Sequence, residues 1–146
     1  MKRILLALFV LVIAPAMAIA ADPAKARVVT FRSNVVKCLA PVAITQIDGR
    51  LRQLPSMGFE LEPGLHTMHG SVTVDTRNCP VAQAESRRPV HIPPLDWYFE
   101  PGKVYYVAFD HSASNRKNWR LVVWKVEYED GELIFDITAK TPELPH

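Results

Sequence analysis

"GFELEPGLHTMHG" (58–70) and "WYFEPGKVYYVAFD" (97–110) carry the same triplet, Glu-Pro-Gly, in the same setting, in a chain with only six glycines. In the first, Phe59 and Leu61 alternate with Glu60 before Pro63-Gly64 interrupts, and Leu65 to Val74 runs on. In the second, Trp97 and Phe99 alternate with Tyr98 and Glu100 before Pro101-Gly102, and Val104 to Phe109 continues. Alternation with a period of two is the mark of a strand with one buried face. Proline presets φ at the second position of a type II turn and glycine supplies the positive φ at the third. Each triplet is therefore expected to be a turn between two strands, reversing the chain in the same way twice. The flanks differ beyond the turns, so no internal duplication is implied.

Working outward, the same grammar recurs. Arg27 to Phe31 is a first β-like run, which Val35-Val36 extends or restarts. Val42 to Ile47 ends at Asp48-Gly49 and returns over Arg50 to Leu54; Trp119 to Tyr128 turns at Asp130-Gly131 and returns over Leu133 to Ile137. Asp-Gly between such runs signals a hairpin, because a type I′ turn needs positive φ at both central residues. Twelve prolines and the lack of an apolar stripe at helical spacing leave room only for short helical turns near Ala82–Ser86. Eight or nine short strands with turns between them describe an all-β fold, an antiparallel β-sandwich in preference to a closed barrel.

The amino terminus has a different character. Lys2-Arg3 precedes an unbroken apolar run from Ile4 to Ala14, followed by Pro15 and the small residues of Ala16 to Ala21. That is the form of a secretory signal peptide, 1–20, cleaved after Ala20 or, second choice, after Ala18. The run is well short of the ~20 apolar residues that span a bilayer, so no membrane anchor is expected in the mature chain. The remainder, 21–146, has the length of a single domain. With Lys2 and Arg3 set aside, fifteen basic residues face fifteen acidic ones, so nothing in the net charge points to nucleic acid. Cys38 and Cys79 are the only cysteines. In an oxidising compartment they are expected to form a disulfide that stabilises the fold by about 3–4 kcal/mol.

The order "AITQIDGR", "GFELEPGLHTM", "FEPGKVYYVAF" resembles the layout of small bacterial envelope β-sandwich modules, PEGA-type domains and related exported families among them. The likeness covers roughly residues 42–110. Gly102, Lys103, Tyr105 and Tyr106 fit its last element, and His66 fits the histidine after Pro-Gly. The insert between Gly70 and Arg88 departs from a compact module of that kind. The resemblance implies an envelope accessory or binding module, with no catalytic residues carried over.

Three groups of residues bear on chemistry. His66, Met68 and His69 are the types that hold copper in exported proteins. However, His66 and His69 fall on opposite faces of a regular strand, and His66 shares its face with Met68, Val72 and Val74. A core-facing His66 with bonded ring nitrogens is therefore the expectation, with periplasmic copper binding as an alternative and no metal or other cofactor required. Asp110, His111 and Ser112 supply the three triad types, but as chain neighbours they lack triad geometry, and no G-x-S-x-G elbow, phosphate loop or H-E-x-x-H occurs. An enzyme is not expected. The third group is a surface: Arg87, Arg88, His91 and Trp97 on a proline-stiffened segment, with Arg116, Lys117 and Trp119 on the polar loop "HSASNRKNW" (111–119). Loops on a rigid sandwich are where binding resides. The expected partner is an envelope protein or glycan, or, for an inhibitor or immunity-type protein, one enzyme blocked by a loop. Both parities of the late strands are apolar, and the chain's own 76–96 segment is expected to cover the second face in preference to a partner.

Overall fold

The structure, a computed structural model, describes residues 22, 24–72, 79 and 92–137. Within them the chain forms ten strands: β1 (Ala26–Val29), β2 (Leu39–Ala40), β3 (Val42–Ile47), β4 (Arg50–Leu51), β5 (Phe59–Leu61), β6 (Gly64–Val72), β7 (Leu95–Phe99), β8 (Lys103–Asp110), β9 (Arg120–Tyr128) and β10 (Leu133–Asp136). Two sheets pack as a sandwich. The larger has the order β10-β9-β8-β1-β5, with β2 also paired to β8; the smaller has the order β4-β3-β6-β7.

Both Glu-Pro-Gly triplets lie between strands, but neither is a hairpin turn. β5 belongs to the larger sheet and β6 to the smaller; β7 belongs to the smaller and β8 to the larger. The two triplets are corners that carry the chain between sheets, once in each direction. Their backbones also differ: Gly102 is left-handed at φ 69°, as a type II turn requires, whereas Gly64 lies at φ 138° and already starts β6. Because Gly64 pairs with Phe99, the corners sit side by side at one end of the sandwich. There Lys25 bonds to Glu62 at 3.4 Å and its carbonyl accepts the Gly102 N–H.

The sandwich is antiparallel with one exception, β1, which runs parallel to β8. After β1 the chain leaves the sheet, makes one 3-10 turn over Val35–Lys37 and returns as β2 antiparallel to the same edge of β8. Val35 and Val36 thus neither extend nor restart a strand. Asn34 caps the turn by accepting the Lys37 N–H, and Cys38 ends it at φ 56°, so local side-chain bonding overrides β-branched propensity. Cys38 is joined to Cys79 by the expected disulfide, with Cα atoms 5.7 Å apart.

The Asp48-Gly49 turn has positive φ at both residues, 50° and 75°, as a type I′ hairpin demands. At Asp130-Gly131 only Gly131 is left-handed. The Tyr128 N–H bonds to the Glu132 carbonyl, making a longer loop ending in a glycine bulge. The core is formed by Val28, Phe59, Tyr105, Val107, Phe109, Leu121 and Val123 from one sheet and Val42, Ile44, Met68, Leu95 and Phe99 from the other.

Both parities of β9 are apolar partly because the strand changes parity. Val107 pairs with Val123 and Tyr106 with Lys125, which leaves Trp124 as an extra, bulged residue. Val126 then faces the core in step with Val123. A second cluster, Leu39, Ala108 and Trp124, with Tyr106 and Val122 against it, is buried apart from the main core. Of the 76–96 segment expected to cover this face, 76–91 lies outside the described residues except for Cys79, and Ile92 and Leu95 pack against the main core; the expected helical turns near Ala82–Ser86 and the expected signal peptide also lie outside the described residues.

Candidate functional site

β7 and β10 are the edge strands of their sheets on the same side of the sandwich. Between them runs a cleft of about 500 Å³ lined mainly by Trp97 and Tyr98 of β7, Tyr105 of β8, Val126 of β9, and Ile134 and Phe135 of β10. Its position follows from the alternation in "LDWYF": Leu95 and Phe99 are buried in the core and Asp96 and Tyr98 are exposed. Trp97 lies half-buried on the core side, at the point where the core opens. Beside it, Leu133, Ile134 and Phe135 are 52%, 41% and 40% exposed.

The polar groups of the cleft are held in place by the second corner. The Tyr105 hydroxyl accepts the Glu100 N–H at 2.8 Å, and its ring meets Phe99 edge-on at 4.8 Å. Burial pushes the Tyr105 hydroxyl above its ordinary pKa, so it stays protonated. Lys103 is ion-paired to Glu100, and this bond raises its own pKa. The Asp96 carboxylate accepts the Thr67 hydroxyl from β6. From 126 to 137 the chain carries Glu127, Glu129, Asp130, Glu132 and Asp136 and no lysine or arginine. The cleft itself is an aromatic and aliphatic slot whose lining carries two carboxylates, Asp96 and Glu100, and one cation, Lys103.

Among the residues expected to form a binding surface, Arg87, Arg88 and His91 lie outside the described residues. Trp97 lines the cleft. The 111–119 loop does not present an aromatic: Trp119 is only 3% exposed, which corrects its placement on the surface. Its indole N–H donates to the Ala113 carbonyl at 2.7 Å and its ring meets Phe109 edge-on. Arg116 lies over the Trp119 ring at 5.3 Å, while Lys117 is exposed. A polar loop whose last residue anchors it in the core reads, in sequence, like an exposed aromatic. The adjoining residues are equally structural. His111 is buried and stacks on Phe109, and the Asp110 carboxylate accepts the backbone N–H of Ser112.

His66, Met68 and His69 are not brought together as ligands. Met68 is wholly buried in the core. His66 Nδ1 meets the Asp48 carboxylate at 2.6 Å and Nε2 meets the Glu62 carbonyl at 2.8 Å. Both partners offer acceptor oxygens, so the two ring nitrogens are occupied by protein groups. The Thr67 N–H, together with His66, holds the Asp48 carboxyl below its usual pKa. Among the described residues no group of three or more His, Cys, Asp or Glu stands where it could hold a metal ion.

On the outer face of the larger sheet, Tyr106 donates to Glu127, which also pairs with Lys125. Burial, then this hydrogen bond, pushes the Tyr106 hydroxyl up to about 12. Burial alone would raise Glu127, but its bonds from Lys125 and Tyr106 outweigh it and lower the carboxyl. No helix among the described residues is long and apolar enough to cross a membrane. Sequence reasoning picked out Trp97 but missed Tyr105 and the β10 residues as its partners. Nothing in the local sequence signals that 97–105 and 126–135 converge. No family model, no curated protein and no solved structure matches the chain.

Proposed function

We propose that this is an exported, periplasmic, non-enzymatic binding or accessory protein of the bacterial envelope, and that its binding site is the cleft between β7 and β10. The observation that carries the reading is the exposure of Leu133, Ile134 and Phe135 beside Trp97 and Tyr98, contiguous apolar surface of the kind that marks an interaction site. Export is supported by the basic-apolar-small pattern of residues 1–20 and by the Cys38–Cys79 disulfide, a bond that persists in oxidising compartments. The likeness of residues 42–110 to PEGA-type layouts agrees with an envelope module.

A photo-crosslinking amino acid at Tyr98, at Lys117 or at Arg52, introduced in protein expressed in its native envelope, tests both site and role. One dominant adduct from position 98, weak or absent from 117 and from 52, is the expected result. Adducts from position 117 alone would move the site to the 111–119 loop. No adduct from any position would leave the cleft without a partner and overturn the reading. An inhibitor of one enzyme would yield a single stoichiometric adduct whose partner loses activity on binding.

A further inference from the structure

We propose that the partner enters the cleft as an extended peptide segment that adds a strand to the free edge of β7, with apolar residues alternating with basic ones. This rests on the reading of the cleft as the binding site and names what it binds.

The two sheets do not end together. β7 closes the smaller sheet and lies against β9, yet β10 hydrogen-bonds beyond β9 in the larger sheet. The larger sheet therefore overhangs by one strand, and among the described residues no strand of the smaller sheet faces β10. Among the described residues, all the strand pairing of β7 is with β6. Its other backbone edge carries none of the usual protections, since Leu95–Phe99 contains no proline, no lysine and no bulge. A strand beside β7 would stand about 4.8 Å outward, over the overhang.

Alternation then fixes the chemistry of the segment. Side chains pointing the same way as Trp97 enter the slot against Tyr105, Val126 and Phe135, and must be apolar. Those pointing the same way as Asp96 and Tyr98 emerge at the margin. There Glu100 is already neutralised by Lys103, and the exposed Asp96 carboxylate, which lines the slot, favours a cation. Main-chain bonds supply affinity and alternate side chains supply selectivity, as in other strand-addition complexes. A second copy pairing β7 to β7 would bring the Asp96 carboxylates of both copies onto one short ladder, so charge disfavours it.

The test uses the disulfide-intact, isotope-labelled protein and two synthetic seven-residue peptides of one composition, lysine alternating with isoleucine or lysines and isoleucines in separate blocks. The alternating peptide is expected to slow hydrogen exchange at backbone amides of β7, to shift Trp97 and Phe135 resonances, and to bind about tenfold more tightly than the blocked one. Asp96→Lys should weaken it about threefold to tenfold, with exchange in the peptide-free variant unchanged as the control for folding. Equal affinity for both peptides, protection at β10 in place of β7, or no binding at millimolar peptide overturns the proposal. So does β7 protection that grows with protein concentration alone, which would assign the edge to a second copy. A position-98 adduct in the envelope with no strand protection here would leave the binding role standing and remove only the strand.

Discussion

Trp119 and Trp124 are both buried on the larger sheet, and their indole nitrogens have opposite fates. Trp119 Nε1 donates to Ala113 and locks the 111–119 loop against the core, whereas Trp124 Nε1 is buried with no hydrogen-bond partner among the described residues. An unsatisfied buried donor costs about 1–3 kcal/mol, and a made bond contributes about 1 kcal/mol net. Trp119→Phe orphans the Ala113 carbonyl and opens a gap between Phe109 and His111, so it should destabilise by about 2–3 kcal/mol. Trp124→Phe also loses volume, against Tyr106 and Ala108, but removes the orphaned donor, and should cost at most about 1 kcal/mol. Urea unfolding of both variants checks the order. Equal losses would show that the Ala113 bond carries no stability. The aromatic character of both residues is plain in the sequence; which one faces water is not. Trp119 follows a run of polar loop residues, and Trp124 occupies a bulge that shifts the alternation on which any assignment of faces depends.

At the scale of elements, the paired Glu-Pro-Gly corners explain both what was legible in the sequence and what was not. Strands on either side of each triplet could be read from alternation within a few residues, because burial of one face dictates the period. That the chain changes sheets there could not, because a turn residue specifies local φ and not the hydrogen-bonding partner of the strand that follows. The same limit hid the cleft, whose walls come from 97–105 and 126–135 and meet only through the order of the sheets. The φ values of the corners make a prediction of their own. Gly102→Ala places alanine in the left-handed region and should cost about 1–2 kcal/mol. Gly64, at φ 138°, occupies territory open to glycine almost alone, with space around it, so Gly64→Ala should cost about 2–3 kcal/mol from backbone strain and not from a clash. Denaturation midpoints of the two variants decide it, and a Gly64→Ala no more costly than Gly102→Ala would mean that the first corner relaxes.

For the whole molecule, the disulfide and the cleft divide the labour between two regions of the sandwich. Cys38 sits where β2 rejoins β8, and its carbonyl accepts the His111 N–H, so the bridge ties a sheet edge to residue 79 across a separation of 41 residues. Closing a loop of that size removes unfolded-state entropy equivalent to about 3–4 kcal/mol. That is a large share of the about 5–15 kcal/mol by which domains of this size are stable. β7 and β10, by contrast, are each paired on one side only among the described residues, with Leu95 and Phe99 anchoring β7 in the core far from Cys38 in sequence. Reduction should therefore lower the urea midpoint by the equivalent of about 3–4 kcal/mol while leaving the cleft assembled at low denaturant. Near-ultraviolet circular dichroism and the resonances of Trp97 and Phe135 read the two effects separately. A large loss of stability with unchanged cleft resonances would show that the bridge acts on the unfolded chain. Loss of the cleft signals upon reduction, before global unfolding, would instead make the assembly of the cleft depend on the disulfide.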